Sequence, residues 1–123
     1  MKRLVRVTTT GRRSGDARTV ALYAFDDDDD DGEGLVIVGS RGGASRDPAW
    51  AVNLRSDPHA LVTVGREERA VRATEVNGPE RDRLWELVCA DFPLYATYQR
   101  RTKRVIPLFV LEPVEPPDHA RER

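Results

Sequence analysis

Residues 35–54 read Leu35-Val36-Ile37-Val38-Gly39-Ser40-Arg41-Gly42-Gly43-Ala44-Ser45-Arg46-Asp47-Pro48-Ala49-Trp50-Ala51-Val52-Asn53-Leu54. An apolar run leads into a glycine-rich turn carrying Ser40 and Arg41. Asp47-Pro48 then opens a short helix, with Asp47 as N-cap and Pro48 at the first helical position. Strand, glycine-rich turn and helix start together aim backbone N–H groups and cations at one spot, which is how proteins hold phosphates and other anions. The same residues also suit a plain strand-to-helix connection, so the stretch takes its meaning from its flanks.

Upstream, residues 4–10 are β-branched and read as a strand. Gly11-Arg12-Arg13-Ser14-Gly15 makes a turn, and residues 19–25 return as a second strand with Arg18 at the hairpin mouth. The acidic run 26–31, ending in Gly32-Glu33-Gly34, predicts a solvated hairpin tip, since like charges resist packing. A calcium loop framed on Asp27, Asp29, Asp31 and Gly32 would put Val38 where a bidentate Glu is required, so calcium is rejected. Residues 35–40 form the third strand, and the short helix spans 48–56.

Downstream, residues 60–64 and 69–75 pair across the turn 65–68. Asn77-Gly78-Pro79 starts a helix that runs to Phe92. Leu84, Leu87, Val88 and Asp91 share one of its faces, and Trp85, Cys89 and Phe92 an adjoining one. Residues 94–102 add helical turns, 105–112 a last strand, and 114–123 a Pro-rich charged tail. The order β-β-β-α-β-β-α-α-β predicts a mainly β, α+β domain over residues 1–113. It is a closed or half-closed barrel of about six antiparallel strands with two to three short helices.

The totals narrow the function. The chain has 123 residues, room for one domain with a core. A net charge of −1 gives no global basic field for nucleic acid. All but two of the 20 cations are Arg, the residue suited to bidentate grip on phosphate and carboxylate. The single cysteine, Cys89, leaves no disulfide within the chain and fits a reducing cytoplasm. No apolar run reaches membrane-spanning length, and Met1-Lys2-Arg3 does not continue into a signal peptide. Dinucleotide, P-loop and G-x-S-x-G motifs are absent, and His59, His119 and Cys89 are too scattered for a metal site. With no nucleophilic triad, catalysis here calls for a bound cofactor.

What remains is two Gly/Arg/Ser turns, Trp50 and a tyrosine pair. Trp50 on spacing alone reads as a core anchor, although it follows the second turn directly. Tyr95 and Tyr98 lie three apart, on one helix face, in Phe92-Pro93-Leu94-Tyr95-Ala96-Thr97-Tyr98-Gln99. A phenol is protonated near neutrality and can donate a hydrogen bond or proton. Arginines, glycines and tyrosines without a strong base fit hydride transfer from a cofactor to a polarised acceptor.

Thr8-Thr9-Thr10-Gly11-Arg12-Arg13-Ser14-Gly15, with Arg18 and Leu22-Tyr23, resembles the opening of the deazaflavin-dependent nitroreductase family. The stretch 39–54 resembles its central motif, and Tyr95, Tyr98-Gln99, Thr102, Arg104 and Ile106-Pro107 its C-terminal motif. The resemblance implies a split β-barrel that binds reduced coenzyme F420, a deazaflavin with a phosphate and a polyglutamate tail. It implies hydride transfer to a quinone, nitroaromatic or similar small acceptor, with FMN as the alternative cofactor. By position, Arg12, Arg13, Ser14 and Arg18 meet the phosphate and tail, and Thr19, Val20, Ala21, Leu22 and Tyr23 run beside the deazaflavin. Val38, Gly39, Ser40 and Arg41, with Ala49, Trp50, Ala51, Val52 and Asn53, close the other side. Tyr95 takes the substrate-side catalytic role, with Tyr98 in reserve. The chain departs from the family at Ala21, where proline is common, and at Ala51, where a bulky residue often follows the tryptophan. The expected setting is the cytoplasm, with the membrane periphery as the alternative, and the expected assembly beyond a monomer is a homodimer.

Overall fold

All four residues of β3 (Leu35–Val38) are buried, because its two faces meet different partners. Leu35 and Ile37 turn inward to Val5, Val7, Val62 and Leu111, whereas Val36 and Val38 turn outward to Leu84, Val88 and Leu108. The computed structural model describes residues 2–27 and 34–114. The other strands are β1 (Lys2–Thr10), β2 (Ala17–Asp26), β4 (His59–Val64), β5 (Glu67–Glu75) and β6 (Leu108–Pro113). They close into one barrel in the order β1-β2-β3-β6-β5-β4, every neighbouring pair antiparallel. The mainly β expectation holds, and the barrel is closed rather than half-closed.

Among the described residues three α-helices surround or plug it. Helix α1 (Ala49–Ser56) sends Trp50, Ala51 and Leu54 into the inner cluster. The Trp50 ring stands edge-on to Phe109 at 5.7 Å, so it is a core anchor. Helices α2 (Gly78–Asp91) and α3 (Leu94–Arg100) cover the outer face of β2, β3 and β6 through Leu84, Val88 and Tyr95.

Three local expectations need correction. β1 and β2 extend beyond the β-branched cores, because pairing continues at Lys2↔Phe25 and Thr10↔Ala17; β6, in contrast, begins only at Leu108, after Ile106-Pro107. Asp47 is not the cap of α1. Pro48 occupies that position, and no side chain caps the helix. The Asp47 carboxylate instead accepts from Arg104 Nη1 at 2.7 Å and Arg55 Nη1 at 2.7 Å, both stronger partners than a helix N–H. The start of the acidic run is not solvated either. Asp27 is buried and takes both Arg83 guanidinium nitrogens at 2.9 and 2.8 Å, while Asp26 pairs with Arg3. Residues 28–33 of that run and 115–123 of the tail lie outside the described residues.

Candidate functional site

The barrel's hairpin order brings the 11–14 turn, the first half of β2, the turn after β3 and the starts of α1 and α3 around one cleft of about 1240 Å³. That exceeds the range of roughly 300–1,000 Å³ common for one small ligand, so the cleft has room for two. Arg12, Arg13, Ser14, Arg18, Thr19, Val20, Ala21, Leu22 and Tyr23 line one side. Val38, Ser40, Arg41, Ala49, Trp50, Val52 and Asn53 line the other, and Tyr95 and Tyr98 stand at one end. Gly39 and Ala51 do not line it. Gly39 lies against Pro107, whose Cγ would come within 2.7 Å of an added Cβ, and Ala51 is fully buried in the barrel. Thr9, Gly11, Gly42, Arg46, Asp47, Pro48 and Phe92 line it without having been expected. Of these only Arg46 carried a signal, as a cation just past the glycine turn.

Asn53 holds the first turn in place. It is buried, its Oδ1 accepts from the Arg12 backbone N–H at 3.2 Å, and its Nδ2 donates to Thr9 Oγ1 at 3.2 Å. The amide is thus spent on the protein, which makes Asn53 a support for Arg12 and Arg13. The second turn is a 3₁₀ segment, Arg41–Gly43. Ser40 is right-handed (φ −73°, ψ −41°) and Arg41 is left-handed at φ 44°. That alternation forms a nest, in which successive backbone N–H groups converge on an anionic oxygen. The N–H groups of Ala49 and Trp50, at the start of α1, also lack intrahelical partners.

The charges are sorted. Among the described residues no carboxylate pairs with Arg12, Arg13, Arg18, Arg41 or Arg46. Arg3, Arg55, Arg83 and Arg104, by contrast, are each tied to an acid. Hydrogen bonding to Glu75 and Asp47 raises the Arg55 pKa further, against the cost of its burial. Among the described residues the one cleft carboxylate is Asp47, which is neutralised by two guanidiniums. Free cations on one side and no free acid make a receptor for a polyanion.

The far end is aromatic. Tyr23, Phe92, Tyr95 and Tyr98 form a chain of tilted and edge-on rings at 6.1, 4.7 and 6.3 Å between successive centroids. Tyr95 is 5% exposed, more buried than a residue simply covering a ligand, because its ring packs edge-on against Phe25 at 5.8 Å. Burial, helped by nearby Tyr98 and Tyr23, pushes its pKa up to about 12. No group of His, Cys, Asp and Glu among the described residues could hold a metal ion.

Residues 1–113 match the model of the F420H(2)-dependent quinone reductase family. The chain belongs to that family. An F420H(2)-dependent quinone reductase of Mycobacterium tuberculosis H37Rv is 38% identical over 107 residues, which cover 84% of this chain and 68% of the relative. A solved F420-H2 dependent reductase superposes with a TM-score of 0.77 at 35% identity, covering 89% of this chain and 93% of that one. A structure described as a domain-swapped dimer gives 0.78 at 35% identity, covering 89% and 79%. A haem storage protein from Vibrio cholerae, at 13% identity and TM-score 0.68 over 92% of this chain and 82% of that one, shares the fold alone. As a member of the F420H(2)-dependent quinone reductase family the protein is an oxidoreductase whose cofactor is coenzyme F420. No helix among the described residues is long and apolar enough to cross a membrane.

Proposed function

We propose that reduced coenzyme F420 binds in this cleft and that the acceptor, a quinone or another small oxidant such as a nitroaromatic, enters at the aromatic end. The observation that carries the reading is that one cleft is lined both by unpaired arginines and by a chain of tilted and edge-on aromatic rings. The donor set fits the cofactor, because a phosphate and a string of carboxylates need several cations with no competing acid. When bound, the deazaflavin supplies the hydride.

The chain's own residues do the rest. Arg12, Arg13, Arg18, Arg41 and Arg46 hold the phosphate and tail, and the 40–42 nest takes an anionic oxygen. Val20, Leu22, Trp50 and Val52 give a planar ring system an apolar seat. Tyr23 and Phe92 exclude water from the acceptor side. Tyr95 keeps its proton near neutrality and donates a hydrogen bond to the acceptor oxygen as charge builds there.

The test mixes protein and reduced cofactor in one turnover and follows cofactor oxidation by absorbance with a quinone, a nitroaromatic and no acceptor. Oxidation that depends on both protein and acceptor supports the reading; a rate equal to the protein-free control defeats it. A cytoplasmic location and a homodimer belong to the same proposal, and sedimentation decides the assembly.

A further inference from the structure

We propose that Arg104 is a positioning residue, which holds two peptide planes of the 39–41 turn so that their N–H groups face the cleft. The identity of the ligand rests on the cofactor reading above; the peptide geometry does not.

Arg104 does not line the cleft. Its side chain is 14% exposed and reaches the turn from behind. Nε donates to the Ala44 carbonyl at 2.7 Å and Nη2 to the Ser40 carbonyl at 2.8 Å. Nη1 donates to the Gly39 carbonyl at 3.1 Å and to Asp47 Oδ1 at 2.7 Å. Gln99 of α3 fixes the backbone that carries this guanidinium. Its Nε2 donates to the Arg104 carbonyl at 2.7 Å, and its Oε1 accepts from the Ile106 N–H at 3.0 Å.

The described peptide bonds are all trans, so the C=O and N–H of one plane point in opposite directions. The Gly39 carbonyl shares its plane with the Ser40 N–H, and the Ser40 carbonyl shares its plane with the Arg41 N–H. Both carbonyls are drawn back onto Arg104. The two N–H groups therefore point away from it, to the side on which Ser40 and Arg41 line the cleft. The arrangement needs holding, because Arg41 sits at φ 44°, a left-handed conformation that non-glycine residues rarely adopt. Without Arg104 either plane can rotate, and a rotated plane presents a carbonyl where an anionic oxygen should bind.

Arg104→Lys keeps the charge and loses the fork of donors. The first measurement is amide exchange at Gly43 and Ala44, whose N–H groups donate to the Ser40 and Arg41 carbonyls at 2.8 and 3.1 Å. Exchange about 10-fold faster in the variant is the expected result for a loosened turn. Unchanged protection overturns the proposal, whatever happens to the cofactor.

The second measurement titrates coenzyme F420 and the ribityl deazaflavin that lacks its phosphate and tail into both proteins and records kcat at saturating cofactor. The expected result is affinity weaker by about 10-fold, as for one hydrogen bond to a charged group, with kcat unchanged. Weakening for F420 alone assigns the nest to the phosphate or the tail, and weakening for both assigns it to an oxygen of the ribityl deazaflavin; either supports the proposal. Lower kcat with unchanged affinity overturns it.

If Arg104→Lys fails to fold, Asp47→Asn replaces it and the sign decides. Loss of a cleft carboxylate alone would tighten an anionic ligand, so tightening overturns the proposal and weakening supports it. Wild-type protein that binds no F420 defeats the cofactor reading, and the exchange data then judge Arg104 by themselves.

Discussion

Tyr95 carries its phenol in a setting that opposes ionisation, with burial as the largest cause and its pKa pushed up to about 12. The folded chain therefore holds this proton more tightly than the unfolded chain, whose phenol titrates at the ordinary value of 10.0. Its contribution to stability is complete below the unfolded pKa and is lost as pH rises from there through about 12. Alkaline melts should show that loss in wild-type protein and not in Tyr95→Phe; matching profiles would mean that the phenol is not held protonated. The same substitution removes only the donor, so cofactor affinity should hold while turnover falls by roughly 10-fold or more, the loss typical of one positioned proton donor. Tyr98→Phe is the parallel control, and a Tyr95→Phe enzyme that turns over at the wild-type rate would leave Tyr95 as packing. Arg13 and Arg18 differ from Tyr95 in being exposed and free of acid partners. Replacing either by Ala should weaken F420 binding by roughly 10-fold or more with the melting temperature unchanged, since a charge-assisted contact is worth about 1.5–3 kcal/mol. Unaltered affinity in both variants would make them ordinary surface arginines.

The 3₁₀ turn and α3 meet at a point where the chain leaves no space. A Cβ on Gly43 would lie 2.7 Å from the Tyr98 carbonyl and 3.0 Å from Arg101 Cβ, at φ +82°. Gly42 has a similar left-handed φ of +62° but nothing within 4 Å of its Cβ position. Gly42→Ala should therefore cost only the backbone penalty, about 1–2 kcal/mol. Gly43→Ala adds a clash with backbone and should cost clearly more, with α3 and its two tyrosines displaced. Denaturant melts of the pair decide this, and equal losses would show that α3 yields freely. The strands of this barrel were legible because β-branched runs and Gly turns are local signals, and hairpin order alone then brings the 11–14 turn and the 39–41 turn to one cleft. Asp47 was misread because its partners, Arg104 and Arg55, lie 57 and 8 residues away, and no local pattern announces them. Asp27 hid in a solvated run for the same reason, as Arg83 is 56 residues distant. Gly39 and Ala51 sit inside the right motifs but face the wrong way, since neighbouring residues on a strand or helix diverge. The burial of Tyr95 depends on Phe25, far upstream, which spacing within α3 cannot reveal.

At the scale of the molecule the decisive quantity is where the charge lies, because the net value of −1 conceals it. Arg3, Arg55, Arg69, Arg83 and Arg104 are spent on acids away from the cleft, whereas Arg12, Arg13, Arg18, Arg41 and Arg46 around it pair with none among the described residues, so a chain that is close to neutral presents a cationic mouth. A ligand with a phosphate and several carboxylates engages more of those cations than FMN, which has a single phosphate. Coenzyme F420 should therefore bind much more tightly than FMN at low salt, by orders of magnitude when a few contacts of about 1.5–3 kcal/mol each are at stake. Salt should also act unequally. Near 0.1 M the screening length is about 10 Å, so added salt removes the longer-range part of the attraction and leaves direct contacts weakened but present. The affinity for F420 should fall more steeply with salt than that for FMN, and Arg13→Ala should flatten the F420 slope toward the FMN one. Side-by-side fluorescence titrations of both cofactors, across a salt series, measure all three quantities. FMN binding that equals or exceeds F420 binding at low salt would defeat the assignment of the arginines to a polyanionic tail. Parallel slopes for the two cofactors would show that the tail lies outside the cationic mouth, however tightly the ring is held.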